Sequence, residues 1–470
     1  MWRMVIVLVI VGLCVHTAVA LPGSGTQQDP WRIQSLADFD EFAANANYWS
    51  GFTRLETDVN LAGRTYSTAV IAPDTSSSGG FQGTSFTGVF DGNDHKIICL
   101  TINDGGAGND FLGLFGFIGG YGEVKNLGLE AGSVSGRFSV GGLVGMNGGD
   151  ISNCYSTGDV SGDYPVGGLV GANYYGDITN CYSTGSVRGT GWYVGGLVGD
   201  NYYGDISDCY STGDVSGDED VGGLVGYNYY WWYGTITNCY STGSVSGNYY
   251  VGGLVGWNYG SVLNCYFIGD VNGVEVVGGL VGENYFGNVS NCYSTGCVTG
   301  SRGVGGLVGW NDVNISNSYS TASVGGTDYV GGLVGGNGSR DTSGSVTGCY
   351  SSGMVSGESN VGGLVGYIYE GYIEWSFWDV ETSGEPNMCG GQWLPATGCD
   401  PNCGKTTAQM QTRSTFTEAG WDFVEIWGIG ENQTYPYLRF APAGDFNYDK
   451  KVDLLDLAIF ADHWLEGKDN

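Results

Sequence analysis

The hexapeptide Val140-Gly141-Gly142-Leu143-Val144-Gly145 recurs unchanged from Val166, Val194, Val221, Val251, Val277, Val304, Val330 and Val361. Successive starts are separated by 26, 28, 27, 30, 26, 27, 26 and 31 residues, and self-similarity at a fixed period of this length is the signature of a solenoid. Each period therefore predicts one coil. Helical repeats are excluded by the glycines, each of which costs about 1 kcal/mol in a helix relative to Ala. The Leu spacing of leucine-rich repeats is absent, and the period is too short for a four-stranded propeller blade. Strands joined by glycine turns remain, and the repeat predicts an all-β, parallel β-solenoid of about ten coils with the hexapeptide as one wall.

A second block follows the first in every period, read most cleanly from Ile151 to Gly162 (ISNCYSTGDVSG). Its cysteine column runs Cys154, Cys181, Cys209, Cys239, Cys265, Cys292 and Cys349, with Ser318 substituting once, and a tyrosine follows each member from Tyr155 to Tyr350. Strands stack about 4.8 Å apart with parallel side-chain directions, whereas a disulfide needs Cβ atoms about 3.8 Å apart and turned toward each other. Free, buried thiols are expected, ahead of a metal-binding thiolate ladder, because thiols with no nearby base or cation stay protonated. Asn153, Asn180, Asn238, Asn264, Asn291 and Asn317 stand just before that column and predict an asparagine ladder around a turn.

VGGLVG followed by NCYSTG, together with FTGVFDGNDHKIICLTI from Phe86 to Ile102, resembles the secreted bacterial proteins that carry GLUG-motif repeats. The resemblance covers the chain from about Asp29 to Trp421. It implies a right-handed, pectin-lyase-like β-helix and leaves the activity open, because such proteins are functionally diverse.

Residues 1–20 read as a signal peptide: Arg3 supplies the positive region, Val5 to Val15 the apolar core and Ala18-Val19-Ala20 the cleavage site. The apolar run is short of the ~20 residues a membrane span needs, so a secreted, extracellular or cell-surface protein without a transmembrane anchor is expected. The 16 Lys and Arg against 48 Asp and Glu give a net charge of -32. This disfavours nucleic acid, which requires clustered basic residues, and suits cations, neutral glycans or basic surfaces.

Residues 21–110 are expected to form an N-terminal cap and the leading coils. Leu36, Phe39, Phe42 and Ala43 lie at helical spacing behind Ser35, a plausible N-cap, and predict a helix that covers the open sheet end. Strands are expected at Phe52 to Leu61 and Gly88 to Ile102, and Phe111 to Phe117 is a diverged hexapeptide. The repeat solenoid is placed at 111–380 and a C-terminal cap at 381–443. In that cap Lys405 to Gln411 suggests a short helix and Phe423 to Phe440 short extended pieces. Cys389, Cys399 and Cys403 favour one disulfide plus a leftover thiol over a zinc site, since no His lies near.

Three groups are candidates for function. Tyr174, Tyr175, Tyr202, Tyr203, Tyr229, Tyr230, Trp231, Trp232, Tyr259 and Tyr285 follow the hexapeptide at one turn, with Tyr233 and Phe286 beside them. Stacked, they would offer an aromatic strip to sugar rings, although β-propensity alone also favours Tyr there. Asp159, Ser186, Asp214, Ser244 and Asp270 share one column with Arg188 nearby. This could set two carboxylates about 9.6 Å apart for a polysaccharide lyase or glycoside hydrolase; relief of like-charge contacts explains the alternation better, so no catalytic residue is assigned.

The third group is Asp445, Asn447, Asp449, Lys451, Asp453 and Asp456, at positions 1, 3, 5, 7, 9 and 12 of an oxygen-ligand loop for calcium, with Lys451 contributing its carbonyl. Leu454 to Trp464 then carries apolar residues at helical spacing. The unit at 444–470 resembles a single dockerin repeat and implies calcium as the cofactor and a cohesin-like or surface partner. Lys450 stands where the usual glycine would be, and one repeat replaces the usual two. The combined expectation is a secreted β-solenoid for adhesion, surface display or binding of a polysaccharide or cell-surface glycan, with a calcium-binding tether; a polysaccharide-degrading enzyme on the same scaffold is the alternative.

Overall fold

A computed structural model describes residues 20–76, 79–106, 108–229, 234–393 and 397–439. The signal-peptide reading, apart from Ala20, and the calcium loop with its helix lie outside the described residues, as do Tyr230, Trp231 and Trp232. The chain winds as a parallel β-solenoid in which each turn visits four sheets. Sheet I holds ten strands, of which Phe138–Gly141 pairs in parallel with Tyr164–Gly167. Sheet II holds eleven, including Val144–Asn147 on Val170–Asn173, which makes eleven turns. Sheet III holds thirteen, with Asp150–Ser152 beside Ile178–Thr179. Sheet IV mixes long strands such as Lys96–Asn103 and Gly128–Ser135 with coils where the strand is split in two, as at Tyr155–Ser156 and Asp159–Gly162.

The hexapeptide is not one wall. Val140-Gly141 ends a strand of sheet I and Val144-Gly145 begins one of sheet II, so the motif forms the corner between them. A continuous strand has a side-chain period of two and would turn Leu143 away from Val140 and Val144. The bend at Gly142-Leu143 instead brings all three inside, each fully buried. Glycine at the corner is set by the narrowness of the coil. A Cβ on Gly168 would stand 2.2 Å from the Gly196 carbonyl oxygen and 2.2 Å from Ser183 Oγ on the opposite sheet. Where Phe267 takes that serine's place, its ring lies over Gly253.

At the leading end Leu36–Ala44 is helical, with Ser35 Oγ accepting the Asp38 N–H. Phe39 and Phe42 are fully buried, and the Phe42 ring lies 5.6 Å from Phe90 and 6.5 Å from Phe86. At the far end Cys389–Gln392 adds the last strand of sheet II, and Cys389 is disulfide-bonded to Cys399, leaving Cys403 free. With two of the three cysteines in that bond, they cannot together form a thiolate zinc site.

Beyond this strand the chain turns back along the outside of sheet IV. Short helices at Thr407–Met410 and Arg413–Thr417 and the antiparallel pair Trp427–Gly428 and Tyr437–Leu438 lay Met410, Phe416, Trp421 and Trp427 over Tyr266, Tyr293 and Tyr350. The tyrosines after the cysteine column stack from Tyr155 to Tyr350 with ring centroids 4.7 to 5.0 Å apart. The Tyr350 hydroxyl donates to the Pro436 carbonyl oxygen at 2.6 Å.

Candidate functional site

The turn after sheet II carries the aromatic strip. Eight successive coils, from Asn147 to Asn337, leave sheet II through a fully buried asparagine, and from Asn173 onward the next residue's N–H is taken by the asparagine carbonyl of the preceding coil, as for Tyr202 on Asn173 at 2.7 Å. This fixes the tyrosines in register. Ring centroids along Tyr174, Tyr202, Tyr229, Tyr259 and Tyr285 are 5.5, 4.8, 5.2 and 5.1 Å apart. Tyr175 stacks on Tyr203 at 4.8 Å in a second, outer row. Tyr175 is 66% exposed, so the outer row presents ring faces to solvent.

Beside the strip, two further columns form a floor. One is the outward position of sheet II, in register through Asp200, Tyr227, Trp257, Glu283 and Trp310. The other is the residue before each hexapeptide, where Tyr193, Asp220, Tyr250 and Tyr329 hold positive φ between 52° and 59°. Non-glycine residues rarely adopt this conformation; here it leans their side chains across the corner onto sheet II. Tyr193 thus meets Tyr227 and Tyr250 meets Trp257, both at 4.6 Å. The two longest periods, starting at Val221 and Val330, place their extra residues at this same turn, after Asn228 and Asn337.

Carboxylates lie among these rings. Burial pushes Asp200 up to about 7, and its Oδ1 is shielded without a hydrogen-bond partner. Asp220, 3% exposed, is pushed up to about 8 by burial and then by Glu219. Glu283 reaches about 8 through burial and the neighbouring Asp312. Asp312, 4% exposed, is itself raised by burial, which outweighs the nearby Thr342, Trp310 and Ser339 groups. Glu283 and Asp312 share a cleft of about 330 Å³ with Tyr250, Tyr285, Arg302 and Trp310. Reading the residue after each hexapeptide and the one before it as columns would have exposed this alternation of aromatic and acid; the sequence reading followed only the turn.

The other predicted columns do backbone work. Asn153, Asn180, Asn238, Asn264, Asn291 and Asn317 all hold positive φ, and the predicted ladder forms in part: Asn180 Nδ2 donates to Asn153 Oδ1 at 2.7 Å, Asn238 to Asp208 at 3.2 Å, Asn264 to Asn238 at 3.3 Å and Asn291 to Asn264 at 3.1 Å, where it ends because Asn291 Oδ1 has no partner. The column cysteines are buried and unbridged. The Cys181, Cys209, Cys239 and Cys265 sulfurs each accept the N–H of the preceding coil's cysteine at 3.4 Å, and every thiol of the column donates to a carbonyl two residues back. Ser318 and Ser376 accept the same kind of N–H at 3.0 and 3.1 Å. Burial raises the Cys349 thiol to about 12, which keeps it protonated.

Asp159, Asp214 and Asp270 accept the next coil's N–H from Ser186, Ser244 and Cys297 at 3.0 to 3.1 Å. Among the described residues no ion pair joins Arg188 to them. A second amide ladder escaped the sequence reading. Asn147, Asn173, Asn201, Asn228, Asn258, Asn284, Asn311 and Asn337 are fully buried, each linked to the next at 2.7 to 3.0 Å. Its signal was present, two residues beyond eight of the nine hexapeptides.

Comparison with known proteins agrees on the repeat. Residues 136–161, 163–188, 190–216, 217–246, 247–272 and 273–299 match the family described as the GLUG motif. The chain is thus a parallel β-solenoid that carries GLUG-motif repeats. It is similar to halomucin of Haloquadratum walsbyi, 32% identical over 133 residues, covering 28% of this chain and 2% of that protein. It is also similar to a candidate Gly-rich membrane protein of Evansella cellulosilytica, 40% identical over 72 residues, covering 15% of this chain and 7% of that protein. The chain therefore spans a small part of either relative. A solved Bacteroides ovatus structure, of a candidate immunoglobulin A1 protease, is 18% identical with a TM-score of 0.34 over 89% of this chain and 95% of that one. That likeness is too loose to bear on function. Among the described residues no helix is long and apolar enough to cross a membrane, and no group of three or more His, Cys, Asp or Glu is placed to hold a metal ion.

Proposed function

We propose that the chain is an extracellular β-solenoid that binds a polysaccharide or cell-surface glycan along the aromatic strip and the outward face of sheet II beside it. The observation that carries this reading is the unbroken row of tyrosines from Tyr174 to Tyr285, extended by Trp257 and Trp310 on the floor. Ring faces at a fixed repeat take the apolar faces of successive sugars, while hydroxyls and carboxyls beside them take hydrogen bonds. Secretion is supported by the leader-like residues 1–20, and a cell-surface setting by the similarity to halomucin and to a candidate membrane protein. The test is a glycan array probed with the full chain, followed by titration of the hits. Tyr202→Ala with Tyr259→Ala should weaken binding at least about tenfold, a loss of ~1.4 kcal/mol; unchanged affinity would remove the strip from the site.

Cleavage of the bound glycan is a second reading, supported by Glu283, whose raised carboxyl is protonated at neutral pH as a general acid must be. Release of reducing or unsaturated ends from the array hits, lost in Glu283→Gln, would establish it. The acidic loop at 444–470 is proposed as a calcium-dependent tether to a cohesin-like or surface partner, on ligand spacing alone.

A further inference from the structure

The aromatic surface does not stop at sheet II. On the outward face of sheet I, Phe138, Tyr164 and Trp192 occupy one column in successive coils, with ring centroids 4.7 and 5.7 Å apart. In other coils the same position is Asp110, Glu219, Glu275, Arg302, Asp328 or Ser359, so the fold does not require a ring there. Arg137 covers Phe138 at 4.0 Å and is paired with Asp110, but Tyr164 and Trp192 are 38% and 49% exposed. Large aromatic faces left in water side by side, at positions the fold fills equally well with charge, mark an interaction surface.

This column joins the strip. Trp192 lies 6.4 Å from Tyr193, which leans over the corner to Tyr227 at 4.6 Å, and Tyr227 lies 5.4 Å from Tyr229 of the strip. Earlier in the same columns the corner residue is Pro165 and the outward residue of sheet II is Ala172. Residues 165–173, between Tyr164 and Tyr174, hold no aromatic ring. The two rows are therefore kept apart in that coil by the width of sheet II, whose strand Val170–Asn173 is roughly 13 Å long. The rings form a fork with its junction at Tyr227 and Tyr229.

We infer that this fork is the seat of a branch point, so that the glycan bound by the strip is a branched one. The assignment rests on the glycan-binding reading of the strip, whose row supplies one limb of the fork and its stem. That limb follows Tyr202 and Tyr174, the other crosses the corner to Trp192 and Tyr164, and the stem runs along Tyr259 and Tyr285. A linear chain can follow one limb only and leaves the other row in water. A branched chain covers both, and its second limb binds at the high effective concentration set by the first. The net charge of -32 repels anionic polymers, so the branched glycan is a neutral one.

The experiment is calorimetry of the full chain with three size-matched pairs of decasaccharides: linear and β-1,6-branched β-1,3-glucan, linear and α-1,6-branched α-1,4-glucan, and linear and α-1,3-branched α-1,6-mannan. At least one branched member should bind about tenfold or more tightly than its linear partner, with one molecule per chain. Tyr164→Ala/Trp192→Ala should bring that branched member to within about twofold of the linear one. Unchanged affinity of the variant for the linear member then shows that it is folded. Equal affinity within every pair that binds would overturn the fork and leave the strip reading standing. Equal losses of linear and branched members in the variant would make the rings one oblique path, and two linear molecules per chain would make them two separate sites; either overturns the branch point. Binding of none of the six would overturn the fork and the strip reading together.

Discussion

At the residue scale the repeat is held by side chains that close backbone hydrogen bonds at corners. Cys154 follows Asn153, whose positive φ turns the chain, and the Cys154 N–H finds the Cys181 sulfur. The column requires an acceptor that is also a donor, which is why Ser318 and Ser376 can replace cysteine. Cys209→Ser should therefore be nearly neutral, whereas Cys209→Ala should cost about 1–3 kcal/mol by orphaning the Cys181 N–H. Paired thermal melts of the two variants check this, and equal losses would count against a hydrogen-bonding role. Asn201→Ala should cost more, about 3 kcal/mol, because it abandons Gly204 and Asn228 and strips Asn173 of its acceptor. Hydrogen exchange should show the opening confined to neighbouring coils, as stability in a solenoid is local.

At the element scale the hexapeptide is a corner with three apolar side chains inside, and the turn after sheet II is a ladder of buried amides that aims tyrosines outward. Rigid positioning is what makes the strip a candidate binding surface: each ring is fixed by the backbone of the coil beneath it. The proposed calcium loop is an element of another kind, predicted by ligand spacing. The full chain should bind one Ca²⁺ at about millimolar concentration, and Asp445→Ala with Asp456→Ala should abolish it. Calorimetry that shows no heat in the wild-type chain at such concentrations would reduce the spacing to coincidence.

Across the whole molecule the buried carboxylates reverse the usual pH response. Asp200, Asp220 and Glu283 titrate at about 7, 8 and 8 in the folded chain, above the ordinary values of 3.8, 3.8 and 4.5. Between these limits the folded state binds more protons than the unfolded one, so stability falls as pH rises. The contribution is complete below about pH 4 and disappears as pH passes through about 8. The central coils should therefore melt higher at pH 5 than at pH 8, and Asp220→Asn should flatten that slope. A melting temperature that rises over the same interval would contradict the burial of these groups.

The sequence by itself determined the parallel solenoid, the pitch of its coils, the unbridged cysteine column and the row of turn tyrosines. Each follows from a pattern repeated at one period, and stacking in register converts a sequence column directly into a physical row. The tertiary structure decided what depends on the shape of one coil in cross-section. Only the bend at Gly142-Leu143 shows the hexapeptide to be a corner, and only the angle there brings the column of Asp220 and Tyr250 against that of Trp257 and Glu283. The return of Phe416, Trp421 and Trp427 onto the Tyr350 end of the stacked tyrosines was equally hidden, because that segment carries no repeat. Period fixes what stacks along the axis; contacts across the coil depend on where the chain bends, and that is set by packing.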